Sequence, residues 1–169
     1  MTGLTAGLPF SASFLTGHER GGAYAGFLAR DSRGREYRRI DFEPGLTMSG
    51  ITDPIAEKMY TVNSQSGTVI ETPYPPEQQI WQSEKRTWPE AERRVIEGIE
   101  CFRREFGPHP PGKERSGPSG TAWLSPRIGL VSEEFFTEEG DRVSWRLYDI
   151  NLDEPDPRLF EAPTAAPGP

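Results

Sequence analysis

The residues able to carry catalysis or bind metal are two histidines, one cysteine and a few acidic clusters. His18 and His109 sit in glycine- and proline-rich turns far apart in the chain, and neither belongs to an HExxH or other metal-ligand spacing. Both read as surface histidines. Cys101 falls in a strand-like run, where a cysteine behaves as a small buried hydrophobe. A reactive thiol needs an exposed, electropositive setting, for which Arg103 and Arg104 are neighbours in sequence only. Glu133–Glu134, Glu138–Glu139 and the group Asp153, Glu154 and Asp156 are acidic clusters. Paired carboxylates can hydrolyse glycosides or hold calcium. Each cluster here reads as a solvated turn or exposed strand, and none has calcium-loop spacing. A phosphate-binding glycine loop and a GxSxG elbow are both missing. No catalytic residue, cofactor or metal is expected, and a hydrolase without a recognisable motif ranks third among the functions weighed.

The elements that would position any site are mostly strands. At 169 residues the chain suits one domain, yet it is only 34% hydrophobic and carries 17 prolines and 18 glycines. Nine Phe, five Tyr and four Trp supply the large buried surfaces. A net charge of −7 argues against nucleic acid and anionic membranes as partners. Arg30, Arg33, Arg35, Arg38 and Arg39 surround one hairpin and read as solvated, with a phosphate- or headgroup-binding patch as the alternative. A single cysteine permits no internal disulfide and does not fix the compartment. No run approaches the roughly 20 apolar residues of a membrane span. The start has no signal-peptide pattern, so the chain as written is expected to be cytoplasmic.

In chain order, residues 1–8 read as a flexible N-terminus. Phe10, Ala12 and Phe14 alternate with serines as a first strand with one buried face. Ala23–Arg30 and Arg35–Phe42 form a hairpin around Asp31–Gly34, where Gly34 takes the left-handed position. Ser49–Asp53 is a short extended piece, and Lys58–Asn63 with Thr68–Thr72 a second hairpin. Pro73–Glu92, with Trp81 and Trp88, is expected to lie across the sheet, with at most a short helix in the 73–94 region. Arg93–Phe106 reads as one long strand, with a helix as its rival. Residues 107–120 form a flexible loop by composition. Gly120–Pro163 then gives three strands, at Thr121–Ser125, Leu130–Thr137 and Arg142–Asn151, followed by an EPDP stop. Val143, Trp145 and Leu147 share one face and Tyr148 and Ile150 the other, implying a bulge or burial on both sides. Asp156–Phe160 reads as a clasp for the last strand, and 164–169 as a disordered Ala/Pro tail.

The expected fold is all-β: a mostly antiparallel curled sheet or half-barrel of about eight or nine strands, a single domain over 9–163. Its aromatic residues line either a filled core or a ligand cavity. The candidate ligand-facing or core positions are Phe14, Phe27, Phe42, Trp81, Trp88, Trp123, Phe135 and Trp145.

Arg30–Phe42 (RDSRGREYRRIDF), Ile51–Asn63 (ITDPIAEKMYTVN), Ile96–Phe102 (IEGIECF) and Trp123–Pro163 occur in an order that resembles a group of uncharacterised, mostly exported bacterial proteins. Their pattern runs RDSxGR, DPxxxxxY, IEGV, WxSxxLGLV and EPDPxLFxxP. The ending also looks like that of the lipoprotein-carrier (LolA/LppX-like) superfamily, in which a curved antiparallel sheet holds a hydrophobic ligand. The long N-terminal helix usual in that superfamily has no counterpart here. The resemblance implies a periplasmic or secreted location if the start is truncated. It also implies non-enzymatic binding of an apolar or amphipathic molecule, such as a lipid, or of an envelope component. A structural or protein-interaction module with a filled core is the alternative, with its protein partner unknown.

Overall fold

A computed structural model describes residues 8–74, 92–107 and 119–164. Over these residues the chain is all-β, with eleven strands in one sheet. They are β1 (Phe10–His18), β2 (Gly22–Arg30), β3 (Glu36–Glu43), β4 (Leu46–Asp53), β5 (Lys58–Asn63), β6 (Val69–Pro73), β7 (Arg93–Ile96), β8 (Ile99–Phe106), β9 (Ser119–Ser125), β10 (Gly129–Phe136) and β11 (Arg142–Asn151). A 3-10 helix, Pro157–Phe160, follows. The order is β6-β5-β4-β3-β2-β1-β11-β10-β9-β8-β7, so β6 and β7 are the two edges. Every neighbour is also a sequence neighbour except β1 and β11. The crossing segment Pro73–Glu92 and the short helix allowed in the 73–94 region lie largely outside the described residues, as do residues 1–7 and 165–169, while Arg93 and Arg94 at the end of that region begin β7.

The strand number exceeds the expected eight or nine, chiefly because 93–106 is not one strand. Glu97 and Gly98 take φ of 49° and 76°, and Ile96 pairs with Ile99. Two successive left-handed residues make a type I′ turn, whose twist matches that of a hairpin. Gly98 is therefore the second corner of a turn and not a mid-strand residue, and the helical alternative for 93–106 falls with it. β4 is also longer than its expected core, because Gly45 (φ 87°) lets Leu46 return directly opposite Glu43.

The chain divides into two compact units. One comprises Met1–Ser13, Ala25–Lys85 and Ile150–Pro169. Asp31 ties its β2–β3 hairpin together. Asp31 is 2% exposed, and its Oδ1 accepts from the backbone N–H groups of Arg33 (3.0 Å) and Arg35 (2.8 Å). Its Oδ2 receives Arg35 Nε at 2.7 Å. Gly34, with φ 83°, closes the loop. The arginines are thus not uniformly solvated. Arg35 is largely buried in its pair with Asp31, and Arg30 lies 5.0 Å from the Phe10 ring centre and donates to Leu8 O. Burial lowers the Arg30 pKa and raises that of Glu36 across the ladder, Arg30 and Arg38 opposing the latter.

The EPDP stop folds onto this hairpin. Asp156 caps the 3-10 helix, accepting from Arg158 N at 3.0 Å and pairing with its guanidinium at 2.6 Å. The Arg158 hydrogen bonds hold the Asp156 carboxyl down at about 2. Phe160 is 3% exposed, with the Arg35 guanidinium 5.1 Å from its ring centre. Ser32 donates through N and Oγ to Glu154. This is the clasp arrangement expected from Asp156–Phe160.

The second unit comprises Phe14–Tyr24 and Arg86–Asp149. Phe14, Val131 and Cys101 are each 0% exposed, and Leu147 1%. Within β11, Val143 and Leu147 are buried and Trp145 half-buried, while the intervening Ser144 and Arg146 are exposed. Asp149 takes φ 51°, a local break in the strand where the side-chain alternation changes phase.

Candidate ligand-binding face

Antiparallel partners share a face of the sheet, so the registers of the second unit define rows of side chains. Arg104 pairs with Ala122, Ala122 with Glu133, and Glu133 with Trp145. The next row is Phe106, Gly120, Phe135 and Val143. On the other side Phe102 lies opposite Leu124. Phe102, Phe106, Leu124, Phe135 and Trp145 are all half-buried. These strands therefore keep one apolar face only partly covered by described residues. The reverse face carries the exposed Arg103, Glu105, Glu134, Arg142, Ser144 and Arg146.

The aromatic contacts tie the face together. Phe14 stacks on Trp145 at 6.0 Å, and Phe106 meets Phe135 at 6.2 Å. Gly120 separates these last two in their row for a steric reason. A Cβ there would lie 2.6 Å from Phe135 Cα and would also run into Glu134 O. Thr16, on the Phe14 side of β1, is 4% exposed, and its hydroxyl has no hydrogen-bond partner among the described residues.

Glu133 was expected to be solvated beside Glu134. Instead the two glutamates point to opposite faces: Glu134 pairs with Arg142 at 2.6 Å, and Glu133 enters the aromatic face half-buried. Burial raises its pKa from the ordinary glutamate value. Cys101 is buried on the reverse face, its thiol donating to Ile99 O, and burial raises its pKa. His18 ends β1 and stacks on Tyr24 at 6.2 Å, while His109 is outside the described residues. Among the described residues no group of three or more His, Cys, Asp or Glu could hold a metal ion. No helix among them is long and apolar enough to cross a membrane.

Of the residues singled out from sequence, Phe14, Phe135 and Trp145 share this face. Trp123 lies on the reverse face under the Arg94 guanidinium, 5.7 Å from its ring centre. Phe27 and Phe42 belong to the first unit, where Phe27 pairs with Arg39 and Phe42 is the extra residue of a bulge between Asp41 and Glu43. Phe27 meets Tyr37 at 6.3 Å, and Phe42 is 43% exposed. Trp81 and Trp88 lie outside the described residues. Phe102, Phe106, Arg104 and Glu133 were missed. The signal for the last was present, since Glu133 has the same strand parity as Phe135. Among its described residues the first unit carries an open groove of about 260 Å³ lined by Met48, Thr61, Asn63, Ser66, Thr68 and Ile70.

No protein-family model matches the chain, and no curated protein matches it. Among solved structures it is similar to an uncharacterized conserved protein from Thermus thermophilus, with TM-score 0.58 and 6% identity. That match covers 94% of this chain and 88% of the other. It is a likeness of fold. Lower scores relate the chain to the MucA/MucB complex of Pseudomonas aeruginosa (TM-score 0.43, 11% identity, 92% of this chain and 56% of that one). A LolA superfamily protein from Nitrosomonas europaea gives 0.41 at 7% identity, covering 91% and 90% of the two chains.

Proposed function

We propose that this chain is a non-enzymatic binding protein for an apolar or amphipathic small molecule, held on the Phe106–Phe135–Trp145 face. One observation carries the proposal: five large apolar side chains on adjacent strands are half-buried on a single face, while the opposite face carries the exposed Arg103, Glu105, Glu134, Arg142 and Arg146 beside Trp123, Cys101 and Phe136. A domain that leaves such a strip open gains by covering it with an apolar body. The carrier-like ending of the sequence supports this reading. A filled-core interaction module is the second reading, favoured by Phe14, Val131 and Leu147, which have no room for a ligand beside them.

Thermal unfolding against a panel of lipids and detergents below their micelle concentrations separates the two. A ligand at 100 times its Kd stabilises by about 2.7 kcal/mol, which is roughly 5–10 °C in a domain of this size. A panel in which no apolar compound raises Tm sinks the carrier reading and leaves the filled core.

A further inference from the structure

The charges on the aromatic face differ from those on its reverse. On the reverse face Arg103 pairs with Glu92 (3.0 Å) and Glu105 (2.7 Å), and Glu134 pairs with Arg142 (2.6 Å). On the aromatic face Arg93 is engaged, lying 3.6 Å from Glu100 and 5.2 Å from the Phe102 ring centre. Arg104 and Glu133 have neither an ion pair nor a hydrogen bond to another described residue. They occupy one row, separated by the small Ala122, so their Cα atoms stand about 10 Å apart across β9.

We propose that the Arg104–Ala122–Glu133 row receives the head of a zwitterionic amphiphile, an extension that rests on the binding role proposed above. The anionic part of the head lies against the Arg104 guanidinium and the cationic part against the Glu133 carboxylate. Trp145, next in the row, presents a ring to that cation. The acyl chain runs along the flanking rings, Phe106 and Phe135. A head of a single charge matches only one of the two groups and leaves the other desolvated without a partner, so the row selects against it.

The test is isothermal titration of the full chain with monomeric dodecylphosphocholine, dodecyltrimethylammonium, dodecyl sulfate and dodecyl maltoside. Dodecylphosphocholine is expected to bind about tenfold tighter than any of the other three, the scale of one well-placed charge contact. Glu133→Gln and Arg104→Gln each abolish that preference, and the exchanged double variant Glu133→Arg/Arg104→Glu regains it. Equal affinity for all four detergents, or an undiminished preference in either single variant, overturns the head-group assignment while leaving apolar binding intact. Failure of all four to bind overturns the binding role itself, and the assignment with it.

Discussion

Asp31 is the residue on which the first unit's hairpin most depends, and replacing it has a calculable cost. Its carboxylate is almost fully buried and receives two backbone N–H groups and the Arg35 guanidinium; the side chains of the pair are 3% and 16% exposed. Asp31→Asn can keep the Oδ1 acceptor for both backbone groups, but it turns an amide towards Arg35 Nε and leaves that cation without its counter-ion. Breaking a buried pair from one side costs about 3–5 kcal/mol, and the Phe160 ring beside Arg35 offsets part of this. A loss of about 2–3 kcal/mol is expected for Asp31→Asn. For Asp31→Ala, which also strips two part-buried backbone donors of their acceptor, the expected loss is about 4–5 kcal/mol. With a urea m-value of about 2 kcal/mol/M, the midpoints fall by roughly 1–1.5 M and 2–2.5 M. Both losses should persist in high salt, because buried pairs are weakly screened. Midpoints within about 0.3 M of the parent for both variants would refute the reasoning.

Gly120→Ala should destabilise by at least about 2 kcal/mol in urea melts, since the new Cβ meets backbone of β10, whereas Gly50→Ala, whose Cβ meets only Tyr60 O at 3.5 Å, should stay within about 0.5 kcal/mol. Glu97→Asn should raise Tm by about 1–3 °C, because asparagine tolerates the left-handed first corner of the β7–β8 turn better than glutamate. Glu133 has a raised folded pKa, so its contribution to stability is present below the ordinary carboxylate range and is lost as pH rises through the raised value. Glu133→Gln should therefore raise the urea midpoint at pH 7 and leave it unchanged at pH 3; the reverse pH order would contradict the assigned cause.

Much of the sheet was legible because its turns are chemically explicit. Asp31–Gly34, Ser64–Gly67 and Glu138–Asp141 each combine a glycine with polar neighbours, and the strands between them alternate cleanly. The β7–β8 turn was hidden because Glu97 is a poor residue for positive φ, so the Glu-Gly pair does not resemble an Asn-Gly corner. The candidate face was only half legible. Phe14, Phe135 and Trp145 were identifiable as large inward residues, but which strands lie side by side is a long-range property. Phe102 and Phe106 join Phe135 only through β9, and a local pattern carries no record of that pairing. Glu133 was misjudged because its neighbour Glu134 suggested a solvated acidic pair, although strand alternation sends the two to opposite faces.

The binding role is tested most directly at Trp145. In a Trp81→Phe/Trp88→Phe/Trp123→Phe variant, Trp145 is the sole tryptophan, and a dodecyl amphiphile brominated along its chain quenches an indole only on contact. Binding on the Phe106–Phe135–Trp145 face predicts saturable quenching below the micelle concentration, abolished by competing unbrominated amphiphile and weakened at least about fivefold by Phe135→Ser, which removes roughly 1 kcal/mol or more of apolar contact. Quenching that is absent, or that rises linearly without saturation, would contradict it.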